Sequence, residues 1–303
     1  MKQFLKYVVI FGAPILVCAI ALEVIVRHIP NDYSYKKQYM DEHADSLEIL
    51  IMGSSHGLYC VNPAYFDGFT FNTSQEYQSL KYDKFIFDKY KDRFKSLKTI
   101  IIPISYFSLF YELEEAEGNY RIKNYCMYYD CPYHRFSLKN NIEILNGRNM
   151  LHLKMVKRYL FENGNELFCE PNGYGKMYYN TPFYDVDKTG ALAAERQSVY
   201  NLSNLGPNRE RLHYIIEECA KRNINVYLFT PPSWPAYVRN LDKHRLAILR
   251  DEMDKIVKKF PNARYRSFLE DSSFVKSDYR DSYHVNTIGA IKLSKKINED
   301  LDF

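Results

Sequence analysis

From Tyr7 to Leu22 the chain carries no charge. The run reads YVVIFGAPILVCAIAL, resumes after Glu23 with Val24-Ile25-Val26, and closes at Arg27-His28. Such a run must lie in lipid or in a protein interior, so it stands apart from whatever folds behind it. About 20 residues of helix cross a hydrocarbon core, and Tyr7 to Val26 is just that long. Three readings are open: a signal-anchor helix, a cleaved signal peptide with Ala19-Ile20-Ala21 as its small-residue site, and a buried core helix. The apolar stretch runs past Ala21, which favours the anchor, and bulky Val17 before Cys18 makes a poor lipoprotein site. Lys2 and Lys6 set a cytoplasmic N-terminus, a bias weakened by Arg27 and the basic residues after it. The expected division is a membrane anchor over 1–28 and one domain over 29–303, outside the cytoplasmic membrane.

The rest has the composition of a globular chain. Hydrophobic residues make up 46%, aromatics 16% and charged residues 26%, too apolar for disorder, and 12 Gly with 12 Pro exclude collagen and low-complexity linkers. A formal charge of +4 with no basic block gives no reason to expect nucleic acid as a partner. Beyond Cys18 the cysteines are Cys60, Cys126, Cys131, Cys169 and Cys219, an odd number, so at least one thiol stays unbridged. Cys126 and Cys131 flank a short Tyr-rich segment; a local disulfide and buried thiols are both open. No metal-ligand spacing is visible, and no cofactor is expected.

The pattern after residue 46 is an interrupted α/β alternation. Leu47 to Met52, Thr70 to Asn72, Thr99 to Ile104, Asn225 to Thr230 and a short stretch around Arg264 to Phe268 read as strands. Lys81 to Phe94, Arg209 to Arg222, Leu246 to Phe260 and Thr287 to Leu301 have helical spacing. That alternation predicts a three-layer αβα sandwich with a mainly parallel sheet. The stretch from about 109 to 208 breaks the rhythm and reads as a long Tyr-rich insertion rather than an independent domain.

Chemistry sits at two ends of this domain. Gly53-Ser54-Ser55-His56-Gly57 follows the first buried strand, where a turn into a helix can present a hydroxyl among backbone N–H groups. It lacks the spacing of a Walker loop or of GxGxxG. Asp281 and His284 stand three apart before the last helix, so an Asp that accepts from one imidazole nitrogen leaves the other to take a proton from Ser. The plainer alternative is that Asp281 caps a turn and His284 is an ordinary surface residue.

Together, the strand-Gly-Ser-Ser turn and the late Asp-x-x-His resemble the SGNH (GDSL-type) hydrolase superfamily, and with the N-terminal helix its membrane-anchored DltD/AlgJ-type branch. The resemblance implies an SGNH/flavodoxin-like fold, with Ser55 as nucleophile, His284 as base and Asp281 as its orienting acid. It implies an acylesterase or O-acyltransferase acting on O-acyl groups of a bacterial cell-envelope polysaccharide. The expected partners are an acylated glycan or acyl donor and a membrane-bound O-acyltransferase. Gly53, Ser54, His56, Asn72 and Ser105 are the residues expected around the oxyanion and substrate, with the Ser55 N–H as one donor. Where the family's second block carries Gly, this chain has Asn72-Thr73-Ser74-Gln75-Glu76-Tyr77. Where its third block carries Gly-x-Asn-Asp, the strand end reads Pro103-Ile104-Ser105-Tyr106. Losing one oxyanion donor costs roughly 10²–10³ in rate, so a non-catalytic membrane-tethered scaffold or glycan-binding partner is the second expectation. Tyr120, Tyr125, Tyr128, Tyr129, Tyr133, Tyr178, Tyr179 and Tyr184 of the insertion either pack a cap or stack on sugars.

Overall fold

The computed structural model describes residues 1–133, 136–146, 149–176 and 185–301; Tyr178, Tyr179 and Tyr184 lie outside the described residues. The apolar run is one helix, α1 (Lys2–His28). Its most apolar window has a mean hydropathy of 2.6 and no buried residue, which overturns the core-helix reading and leaves a long apolar helix of anchor or signal type. Ile29 is extended at φ −66° and ψ 118° because Pro30 follows it. Asn31 then caps α2 (Asp32–His43), its Oδ1 accepting the N–H groups of Tyr33 and Ser34 at 3.1 Å each. No clean apolar stripe announces α2 in the sequence DYSYKKQYMDEH.

Next come β1 (Ile49–Ile51), α3 (Ser55–Cys60), β2 (Thr70–Asn72), α4 (Leu80–Tyr90) and β3 (Thr99–Pro103). α4 stops short of the expected Phe94, because the Arg93 N–H bonds back to the Tyr90 carbonyl and closes the last turn. The insertion is more helical than its sequence suggests: α5 (Ile122–Tyr129), α6 (Leu138–Asn141), α7 (Asn149–Phe161) and α8 (Val186–Ser198). α8 buries Val186, Gly190, Ala194 and Gln197, a stripe too small and polar to register as an apolar face. The chain ends with α9 (Leu205–Ala220), β4 (Asn225–Thr230), α10 (Pro235–Val238), α11 (Lys243–Lys259), β5 (Ala263–Ser267) and α12 (Thr287–Glu299).

Two compact units arise, one from residues 1–38 with 120–168 and one from 39–119 with 169–303. In the larger unit the described strands make one parallel sheet in the order β2-β1-β3-β4-β5. Every residue of β1, β2 and β3 is buried, as in a parallel sheet covered on both faces. Ile49, Ile51, Ile101, Tyr227 and Phe229 share one face and pack with Leu293 and Ile297 of α12. β1 has β2 on one side and β3 on the other, so the connections diverge there and open a crevice beyond the strand ends.

The smaller unit is built on aromatic packing. Tyr125 and Tyr129 of α5 are fully buried, with Tyr33 edge-on to Tyr125 at 5.3 Å. These two Tyr pack a core and are not available to stack on a sugar. α5 ends at Asp130 in the left-handed region (φ 57°), and the Cys131 N–H turns back to the Tyr125 carbonyl at 3.0 Å. The Cys126 thiol, back on the helix, is free, so the local Cys126–Cys131 bridge is not made.

Candidate active site

Gly53 makes the turn from β1 into α3. Its φ of +125° suits glycine, and a Cβ there would meet the Pro103 ring at 2.7 Å. Two residues on, Ser55 occupies the first turn of α3, where a backbone N–H has no partner within the helix. The helix can approach the neighbouring loop because Gly57 has no side chain: a Cβ would fall 2.2 Å from Ser74 Oγ.

At the other end of the unit, Tyr279 and Val285 form an antiparallel bridge that pinches residues 280–284 into a tight loop. Asp281 works in two directions inside it. Its Oδ1 accepts the Tyr283 and His284 backbone N–H groups at 3.0 and 2.8 Å, and its Oδ2 lies 3.0 Å from His284 Nδ1. It therefore caps its turn and orients the imidazole at once. Burial pushes the Asp281 carboxyl up, but the His284 ring and the two backbone donors outweigh this and hold it below the usual carboxylate range. An ionised carboxylate only accepts, so Nδ1 carries the hydrogen and Nε2 is the acceptor. The Ser55 hydroxyl donates to that Nε2 at 2.9 Å, across 229 positions of sequence. The structure thus brings Ser55, His284 and Asp281 into one hydrogen-bonded line.

The neighbouring residues play other parts than expected. His56 is buried, with Nε2 2.7 Å from the Tyr283 carbonyl and Nδ1 2.7 Å from Ser105 Oγ. A carbonyl only accepts, so Nε2 carries the hydrogen and the Ser105 hydroxyl donates to Nδ1. Burial first, then the adjacent His284, lower the His56 pKa to about 3, so the ring is neutral. Its centroid lies 4.6 Å from that of His284. Ser105 is therefore a support for His56 and not an oxyanion donor; its own N–H is engaged by Ser108 Oγ at 2.9 Å. Asn72 is also turned inward, donating to the Gly57 and Val61 carbonyls at 2.8 and 3.0 Å and accepting the Ser74 N–H at 2.9 Å. It braces the middle of α3 and its C-terminal cap. The Gly53 N–H is held by Asp83.

Ser54 is different: its hydroxyl is buried and has no hydrogen-bond partner among the described residues. It lines a small pocket with Asp83, Ser79, Phe107, Ser108 and Tyr111. Asp83 was not visible as a site residue in the sequence, where it is one acid on an amphipathic helix. Burial raises its carboxyl to about 7, against the bonds from Gln78 Nε2 at 2.7 Å and the Gly53 N–H. Burial pushes the Cys60 thiol up to about 12, so it stays protonated and unreactive.

No family model matches the chain, and no curated protein matches it. Among solved structures it is similar to a Streptococcus pneumonia protein provisionally named a platelet activating factor, with 10% identity over 96% of this chain and 98% of that one and a TM-score of 0.46. It is also similar to a protein of Bacteroides fragilis NCTC 9343 provisionally named an acylhydrolase, with 11% identity over 88% of this chain and 94% of that one and a TM-score of 0.42. Likeness at this level says nothing of chemistry, which has to be read from the site.

Its aromatic wall is part of that reading. Tyr283 stacks on Tyr237 at 5.5 Å, and Phe107, Tyr111 and Tyr200 meet edge-on or tilted at 5.0–5.9 Å. Of these rings, Phe107 and Tyr283 lie against His56 at 6.0 and 5.8 Å, and Tyr283 lies against His284 at 4.2 Å.

Proposed function

We propose that this chain is a serine esterase or acyltransferase of SGNH type, working through Ser55, His284 and Asp281. The observation that carries the reading is the continuous line from Ser55 Oγ to His284 Nε2 (2.9 Å) and from Nδ1 to Asp281 (3.0 Å) at the crevice end of a parallel sheet. Ser55 attacks an acyl carbonyl while His284 Nε2 takes its proton, and the Ser55 N–H receives the developing oxyanion. The proton passes to the departing alcohol, leaving an acyl ester on Ser55. Water as acceptor completes ester hydrolysis; a sugar hydroxyl completes O-acyl transfer. With α1 as a retained anchor, the substrate is an envelope glycan, O-acylated where it gives up its acyl group and bearing a free hydroxyl where it receives one, handled beside a membrane-bound O-acyltransferase.

The inward engagement of Asn72 and Ser105 favours one second reading, a tethered partner that binds without turnover. A fluorophosphonate probe separates the two. Labelling of the wild type that disappears in Ser55→Ala, with the melting temperature kept, is the expected outcome. An unlabelled wild type supports the scaffold, and labelling lost in Ser54→Ala but kept in Ser55→Ala moves the nucleophile by one residue.

A further inference from the structure

The smaller unit exposes apolar side chains. Leu138, Leu145, Leu151, Leu153, Leu160 and Phe161 are each more than half exposed, Phe161 at 79%. On α7 the inward residues are His152, Met155, Val156 and Tyr159, a regular i, i+3, i+4, i+7 set. The outward face is therefore not an exposed core side. It interleaves Leu153, Leu160 and Phe161 with Lys154, Lys157 and Arg158, all exposed.

This segment is fastened to the end of α1. The Glu23 carboxylate accepts the N–H groups of Glu143 and Ile144 at 3.0 Å each. Arg27 bonds Glu23 at 2.5 Å and also donates to the Asn141 carbonyl. Val26 and Ile29 are buried in the same unit. The twenty residues from Tyr7 to Val26 rise about 30 Å as helix, the thickness of a hydrocarbon core, which puts Glu23 and Arg27 at its edge. Whatever is bonded to them sits at head-group level.

We infer that residues 136–146 and 149–161 form a bilayer-seated collar, whose α7 outer face inserts Leu and Phe among the lipid head groups while Lys154 and Lys157 meet anionic phospholipid; Arg158 is held by Glu166 at 3.1 Å. Apolar and basic residues sharing the outward face of an otherwise packed helix are the signature of an interfacial helix. The inference rests on α1 being a retained span, and the test distinguishes the failure of either.

The full chain is reconstituted in nanodiscs of phosphatidylcholine and phosphatidylglycerol, with Trp234→Phe removing the native indole. Reporter indoles are placed singly by Phe161→Trp and Leu16→Trp, the latter half-way along the span, and acyl chains carry bromine either near the head group or near the midplane. The expected result is strong quenching of Phe161→Trp by the shallow bromines and of Leu16→Trp by the deep ones. Adding Lys154→Glu and Lys157→Glu weakens the shallow quenching in anionic discs. An unquenched, iodide-accessible Phe161→Trp beside a quenched Leu16→Trp overturns the collar and leaves the anchor standing. Both unquenched overturns the anchor reading itself. A dimer that shields Phe161→Trp from bromine and iodide alike assigns the face to a second copy and overturns the proposal.

Discussion

Asp281 holds two jobs in one carboxylate, and the substitution that separates them is Asp281→Asn. An amide oxygen still accepts the Tyr283 and His284 N–H groups, so the loop keeps its turn. The amide nitrogen replaces Oδ2 and faces Nδ1–H donor to donor, which drives His284 to the other tautomer and removes the acceptor for Ser55. Turnover should fall by roughly 10³–10⁴, the order seen when a Ser-His-Asp set is given the wrong tautomer. Thermal stability should change by about 1 kcal/mol or less. Combining it with His284→Ala should add little further loss, because groups acting as one unit are not additive. Near-wild-type ester cleavage in Asp281→Asn would reduce Asp281 to a turn cap. The sequence carried both of these roles as alternatives, and the molecule uses them together. It could not show that the hydroxyl of Ser105 and the amide of Asn72 face inward, because hydrogen-bond direction depends on neighbours far away in the chain.

At the scale of elements, α4 is tied to the Gly53-Ser54-Ser55 turn through Asp83. Its carboxyl titrates near 7 in the fold against about 3.9 when unfolded. Between those values the folded state keeps a proton that the unfolded state releases, so stability falls as pH rises. The contribution is complete below about pH 4 and is lost as pH passes through about 7, on the order of a few kcal/mol. Asp83→Asn removes this component while keeping an oxygen for the Gly53 N–H. Relative to the wild type, the variant should therefore gain melting temperature on going from pH 5 to pH 8. A difference that stays constant across that range would show that Asp83 does not titrate there. Strands were legible from apolar runs bounded by Gly and Pro: Thr70–Asn72 and Asn225–Thr230 fall where the sequence puts them. α2 and α8 were not, because one has no apolar stripe and the other buries Gly190, Ala194 and Gln197 where Leu or Ile would have been readable.

At the scale of the molecule, the small unit joins two pieces of sequence, and this decides how the N-terminal helix is expected to behave. Glu23 and Arg27 lie just past the small-residue triplet at Ala19-Ile20-Ala21 and are bonded into residues 141–144. The chain recovered from its native membrane should therefore still contain residues 1–21 on mass spectrometry of its N-terminal peptides. A product shortened to begin after Ala21 would make α1 a signal. The two pieces also impose an order in time. Residues 1–38 leave the ribosome first, while their partner segment begins at Tyr120. At about 5–20 residues per second, the roughly 80 residues between them take about 4–16 s to be made. Through that interval Glu23 lacks its backbone donors Glu143 and Ile144, 120 and 121 residues further on, and the first three strands of the sheet are synthesised before the unit containing residues 1–38 can close. Residues 1–38 thus wait for their partner segment, yet their unit can close at residue 168, while β4, β5 and the loop that carries Asp281 and His284 are still to be made.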